Sequence, residues 1–242
     1  MTNTACAHAC TTPQTPIEYI NSLPEWDRVP RLDTWLPQAL GRTVEYAGEQ
    51  HMAYLGLVGH YWLQGMVRRA LEGGCKFEHC IVLEGRGGTR KSALLQVLAG
   101  EGLHSDCAFD VSWGRAAKEQ LQGVWLYEIA ELAAFTKADM DAVKAFILAH
   151  SDTYRPAHAR TMEHFPRQFA LAATTNGPSW RAAGIPRHFW PVPVPHPVNI
   201  EWVRTHRDQL FAEAKARMQE AGTTPDLYAH PGAPDGRSGR LQ

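Results

Sequence analysis

Apolar residues recur at three- and four-residue steps along GEQHMAYLGLVGHYWLQGMVRRAL, where Tyr54, Leu57, Val58, Tyr61, Trp62 and Val67 fall on one face. That spacing predicts an amphipathic helix that stops at Gly73-Gly74. Downstream the pattern changes. HCIVLEG is a short apolar run and reads as a strand; KSALLQVLAG returns to helical spacing and is closed by Gly100. GVWLYE predicts a second strand, and KADMDAVKAFILAH a helix with Met140, Val143, Phe146 and Ile147 on one side. QFALAATTN predicts a third strand that ends in polar residues. The last helix spans NIEWVRTHRDQLFAEAKARM, with Asn199 placed to cap it and Trp202, Val203, His206, Leu210, Phe211 and Ala214 at helical steps. Strands alternating with helices predict an α/β fold, a parallel sheet covered by helices on both faces. The expected division is a disordered tail over 1–15, a helical N-terminal region over 16–74, a core over 75–220 and a Pro- and Gly-rich disordered tail over 221–242.

Composition narrows this picture. With 242 residues, 44% of them hydrophobic, the chain can bury a core without disulfides or structural metal. The net charge of -1 provides no global field toward nucleic acid or membrane, so any nucleic-acid contact must come from a local basic patch. Five cysteines is an odd count at irregular spacing, which argues against a disulfide framework and for a reducing cytoplasm. No apolar run approaches the roughly 18 residues of a membrane helix, so no membrane partner is expected. CAHAC (Cys6, His8, Cys10) and CKFEHC (Cys75, His79, Cys80) lack the paired spacing of a zinc site and are read as structural.

Chemistry concentrates in LEGRGGTRKSALL, which nearly spells the phosphate-binding pattern G-x-x-x-x-G-K-[ST]. Gly85, Gly87 and Gly88 give the backbone the freedom to aim N–H groups at phosphate oxygens, and Thr89 and Arg90 complete the loop. Lys91 is placed to reach the outer phosphates of ATP and Ser92 to ligate Mg2+, at the start of a helix whose dipole favours anions. Arg90 stands where the pattern has glycine; if that position needs positive φ, the arginine costs on the order of 1 kcal/mol. A glycine-rich turn without a ligand is the alternative. Hydrolysis also needs carboxylates. Glu128 follows the second strand and is assigned to the metal; Glu131, three residues on, is assigned to the base, although spacing alone does not order the two. Asn176, at the end of the third strand, is placed to orient the attacking water or to form an Asn-Gly-Pro turn.

In order, EWDRVPRLDTWL, GCKFEHCIVLEGRGGTRKS, WLYEIAEL, VKAFILAHSDTYRPAHAR, ATTN and PRHFWPV resemble the virulence-associated protein E-like family. These are P-loop ATPases related to superfamily 3 helicases, carried by phages, plasmids and genomic islands. The resemblance covers about residues 17–215. It implies an AAA+-like P-loop core, Gly85, Gly88, Lys91 and Ser92 as the loop match, and ATP hydrolysis coupled to DNA unwinding or translocation in a bacterial or phage-encoded cytoplasmic protein. It also implies a homo-oligomeric ring such as a hexamer, with Arg187 of IPRHFWPV facing the neighbour's γ-phosphate; His188 replaces the family's second arginine. The interval SDTYRPAHARTMEHFPRQ corresponds to elements that face DNA, with Arg155, Arg160 and Arg167 as contacts to single-stranded or forked DNA and Tyr154 and Phe165 interleaved. The alternative there is a solvated loop with an Asp152–Arg155 pair. Many relatives carry a primase domain, so a separate primase is an expected partner. A nucleotide-binding, oligomerising accessory module with little or no hydrolysis is the alternative function.

Overall fold

The computed structural model describes residues 15–108, 115–157, 159–183, 187–218 and 233. Apart from Thr15 and Ala233, the two tails lie outside the described residues, as does the Cys6, His8, Cys10 cluster. Four helices come first: α1 (Pro16–Ser22), α2 (Trp35–Ala39), α3 (Val44–Ala47) and α4 (Glu49–Leu71). Thr15 starts α1 with a capping box, its hydroxyl accepting from Glu18 N–H while the Glu18 carboxylate accepts from Thr15 N–H. The helix expected from the long apolar repeat is α4.

The chain then runs through β1 (Cys80–Glu84), α5 (Lys91–Ala99), β2 (His104–Ser105), α6 (Arg115–Gln120) and β3 (Leu126–Ile129). A 3-10 turn (Leu132–Ala134) leads to α7 (Lys137–Leu148), β4 (Ser151–Tyr154), β5 (Glu163–Pro166) and β6 (Ala170–Thr175). A second 3-10 turn (Pro178–Ala183), β7 (Phe189–Pro193) and α8 (Ile200–Met218) complete it. Asn199 caps α8, its side-chain oxygen accepting from Trp202 N–H at 3.1 Å.

Five strands form one sheet in the order β2-β3-β6-β1-β7, and every pairing in it is parallel. β4 and β5 form a separate antiparallel pair. Side chains alternate across the main sheet. Ile81, Leu83, Ala170, Ala172, Trp190 and Val192 join a core with Trp35, Tyr54, Trp62, Leu95 and Phe211, so α2, α4, α5 and α8 cover that face. Cys80, Val82, Leu171, Ala173 and Phe189 pack on the other face against Met140, Val143 and Ile147 of α7. Burial on both faces explains why the strands read as continuous apolar runs.

The topology also fixes where a ligand fits. The chain leaving β1 crosses toward β2 and β3, whereas the chain leaving β6 passes to β7 on the far side of β1. The carboxyl ends of β1, β3 and β6 therefore border the crevice where connections diverge, the usual ligand position in open α/β sheets.

Candidate functional site

The loop between β1 and α5 is held against the carboxyl end of the sheet. Gly85 N–H donates to Thr175 O at 3.1 Å, Val194 N–H donates to Glu84 O at 2.6 Å, and Val198 N–H donates to Thr89 O at 3.1 Å. A Cβ on Gly85 would sit 2.2 Å from Val194 O, whereas one on Gly87 would meet nothing within 4 Å. Gly85→Ala is thus expected to cost about 1–3 kcal/mol by overpacking, and Gly87→Ala next to nothing; urea denaturation of the pair checks this. Gly88 has φ 82° and Arg90 φ 64°, both left-handed. The position where the motif has glycine does use the conformation glycine favours, and the arginine there carries strain of about 1 kcal/mol.

Lys91 opens α5 and is 8% exposed. Its ammonium folds into the loop and donates to Gly85 O at 2.6 Å, Arg86 O at 2.9 Å and Thr89 Oγ1 at 3.4 Å. Burial pushes its pKa below the ordinary lysine value, and the attraction of Glu131 and Glu128 only partly opposes this. Thr89 itself donates through its hydroxyl to Arg86 O at 2.9 Å, which closes the loop.

Glu128, the third residue of β3, is 1% exposed. Its Oε1 accepts from Ser92 Oγ at 2.6 Å and Thr174 Oγ1 at 2.8 Å, and its Oε2 lies 3.1 Å from His104 Nε2. Burial pushes this carboxyl up, but hydrogen bonds from His104, Ser92 and Thr174 outweigh it and hold the group below the usual carboxylate value. Glu131 follows in a left-handed conformation, φ 52°, and its carboxylate accepts from Asn176 Nδ2 at 3.0 and 3.3 Å. Five residues singled out from sequence, Lys91, Ser92, Glu128, Glu131 and Asn176, are therefore brought to one crevice by α5, β3 and β6.

Three features of this crevice escaped sequence reasoning. His104 and Thr174 reach Glu128 from the two strands beside β3. Glu84, the last residue of β1, accepts from Trp180 Nε1 at 2.7 Å and Arg181 Nε at 2.8 Å, and Arg181 Nη2 completes a two-pronged ion pair. Glu84 adjoins Gly85 and Thr174 lies within ATTN, so each sits inside a motif already singled out; His104 and Arg181 have no local signal.

The arginines divide. Arg187 is exposed just before β7, whose first residue pairs with Cys80 at the start of β1. It thus lies at the amino end of the sheet, away from its own glycine loop. Arg155 and Arg160 are exposed between β4 and β5. Arg167 does not join them. It is 6% exposed, donates through Nε and Nη2 to both Asp152 oxygens at 2.7 Å, and lies 4.1 Å from the Phe146 ring centroid. The expected DNA contact at Arg167 is corrected to a buried structural ion pair, and the expected Asp152–Arg155 pair to Asp152–Arg167. Cys80 is buried in β1 and His79 stacks on Trp190 at 4.2 Å, which are packing roles.

A family model, the virulence-associated protein E-like domain, matches residues 20–231. The chain belongs to the virulence-associated protein E-like family. The match takes in every crevice residue described above. Among solved structures, the A-form apo structure of the NrS-1 C-terminal region is similar at a TM-score of 0.55 and 11% identity, over 81% of this chain and 47% of that one. A second apo structure, of the NrS-1 C-terminal region (305-718), gives a TM-score of 0.54 and 13% identity over 80% of this chain and 47% of that one. The chain therefore spans about half the length of the NrS-1 region it matches, and the likeness is one of fold. A comparison with curated protein sequences gives no match. Among the described residues, no helix is long and apolar enough to cross a membrane.

Proposed function

We propose that this virulence-associated protein E-like chain is an ATPase with an AAA+-like P-loop core that acts on DNA, as a helicase or translocase, during replication of a phage, plasmid or genomic island. One observation carries the reading: the Ser92 hydroxyl lies 2.6 Å from Glu128 at the mouth of a glycine loop whose lysine is already turned inward. A hydroxyl beside an ionised carboxylate is an oxygen donor pair suited to Mg2+, and Ser92 and Glu128 are the residues that would hold it. When bound, the ion would offset charge on the phosphates. Gly85, Gly87, Gly88, Thr89 and Arg90 would line the ATP phosphates, with Lys91 moving from loop carbonyls to phosphate oxygens. Glu131 would accept a proton from the attacking water, with Asn176 orienting both.

Arg187, remote from its own loop, fits a role across a subunit interface in a homo-oligomeric ring such as a hexamer. Arg155 and Arg160, exposed beside the β4–β5 pair, fit contacts to single-stranded or forked DNA. A separate primase and a cytoplasmic, bacterial or phage-encoded setting complete the proposal. The second reading, an oligomerising accessory module that binds nucleotide with little hydrolysis, is favoured by Glu131, whose carboxylate is engaged by Asn176. ATP turnover measured with and without single-stranded DNA, across protein concentrations, separates the two. The motor reading expects turnover per chain that rises with concentration and with DNA, and loses both dependences in Arg187→Ala. ATP binding without turnover under any condition leaves the accessory module.

A further inference from the structure

We propose that His104 is a positioning residue for the divalent cation: it fixes the orientation of Glu128 and thereby sets the affinity of the site for Mg2+ with nucleotide. This rests on the ATPase reading of the same crevice. The Glu128 carboxylate is 1% exposed and takes three donors from three elements. Ser92 from α5 and Thr174 from β6 both address Oε1, at 2.6 and 2.8 Å. Among the described residues, the one side chain on Oε2 is His104, at 3.1 Å. That contact requires the tautomer with a proton on Nε2, in which imidazole donates and the carboxylate accepts.

Without it, Glu128 can rotate about its last torsion, a broad sp3–sp2 well. Oε1 would still meet Ser92 and Thr174, but Oε2 and the carboxylate plane would lose their fixed setting, and with it the direction in which the Oε1 lone pairs face a metal. His104 can do this because of where it sits. β2 is only two residues long, His104–Ser105, and β3 pairs with it at His104↔Leu126. The preceding Leu103 carbonyl accepts from both Trp125 and Leu126 N–H, at 2.9 and 3.1 Å. The backbone that carries the imidazole is thus tied to β3 itself, and the side chain reaches two residues along that strand to Glu128.

Partners that orient a metal-site ligand typically contribute about 10–100-fold to metal affinity. The test is a titration of Mg2+ into the full chain at fixed fluorescent ATP analogue, read by anisotropy, alongside ATP turnover against Mg2+. For His104→Ala the half-saturating Mg2+ concentration is expected to rise by about 10–100-fold, with nucleotide binding in EDTA unchanged and turnover at saturating Mg2+ largely recovered. His104→Gln keeps a side-chain N–H donor and is expected to restore most of the Mg2+ affinity. An unchanged Mg2+ midpoint in His104→Ala overturns the proposal. So does a variant in which binding in EDTA and thermal stability fall together and His104→Gln rescues neither, since that is a structural role only. Wild-type protein that binds no nucleotide with or without Mg2+ would overturn the underlying ATPase reading instead.

Discussion

Lys91→Ala is expected to lower ATP turnover by at least about 100-fold, the scale seen when one preorganised charge-stabilising donor is lost. Lys91 is 8% exposed and its ammonium makes three contacts, all to its own loop. Two of these are backbone carbonyls, which have no charge to offer in return. An incoming polyphosphate would offer that lysine far stronger, charge-assisted partners at the same place, so the existing contacts hold it ready without binding it firmly. Burial lowers its pKa, but Glu131 and Glu128 pull the other way and favour the charged form needed on phosphate. Alanine removes both that charge and the clasp on Gly85 and Arg86. Lys91→Arg is not expected to rescue, because a planar fork cannot occupy the pocket of a compact ammonium. Steady-state turnover together with equilibrium ATP binding checks this: turnover within a few-fold of wild type would sink the assignment of hydrolysis to this loop, and the hydrogen bonds of Lys91 would then be structural.

How far such a site is legible in sequence depends on how local its parts are. Lys91 and Ser92 sit beside the glycines that define them, and Glu128 directly follows an unmistakable apolar run. The remaining contacts are made across the fold. Arg181 meets Glu84 across 97 residues and His104 meets Glu128 across 24, and neither spacing leaves a periodic trace. The same holds for elements. α4, α7 and α8 carry enough turns for a face to repeat, whereas α2 and α3 have 5 and 4 residues and cannot. The two prolines of FWPVP argue in sequence against a strand at β7. Its position explains them: it is an edge strand paired only with β1, so missing N–H groups are tolerated on the open side. The β4–β5 pair leaves little trace because its strands, SDTY and EHFP, have four residues each and are largely polar, too short for an alternation to stand out among the arginines.

Arg167 is a buried arginine within that basic interval, and its replacement is expected to cost the most stability. Arg167→Ala should destabilise the fold by about 3–5 kcal/mol, the usual cost of removing one member of a buried ion pair. The side chains of Arg167 and Asp152 are 5% and 3% exposed, so the carboxylate left behind would be buried without its cation. The guanidinium also donates to Phe146 O and lies 4.1 and 5.3 Å from the Phe146 and Phe169 ring centroids. It therefore ties the end of α7 to the β4–β5 pair and to the start of β6, the strand that carries Thr174 and leads into Asn176. For a chain of this size the loss corresponds to roughly 10 °C in melting temperature. Asp152→Ala should fall in the same range. The double variant should lose less than the sum of the two, since much of each single penalty is the orphaned charge. Urea denaturation of the three variants, with DNA binding measured on the folded fraction, decides the matter. A loss below about 1 kcal/mol accompanied by weakened DNA binding would return Arg167 to the nucleic-acid surface, whereas a stability loss with DNA affinity intact places it in the core.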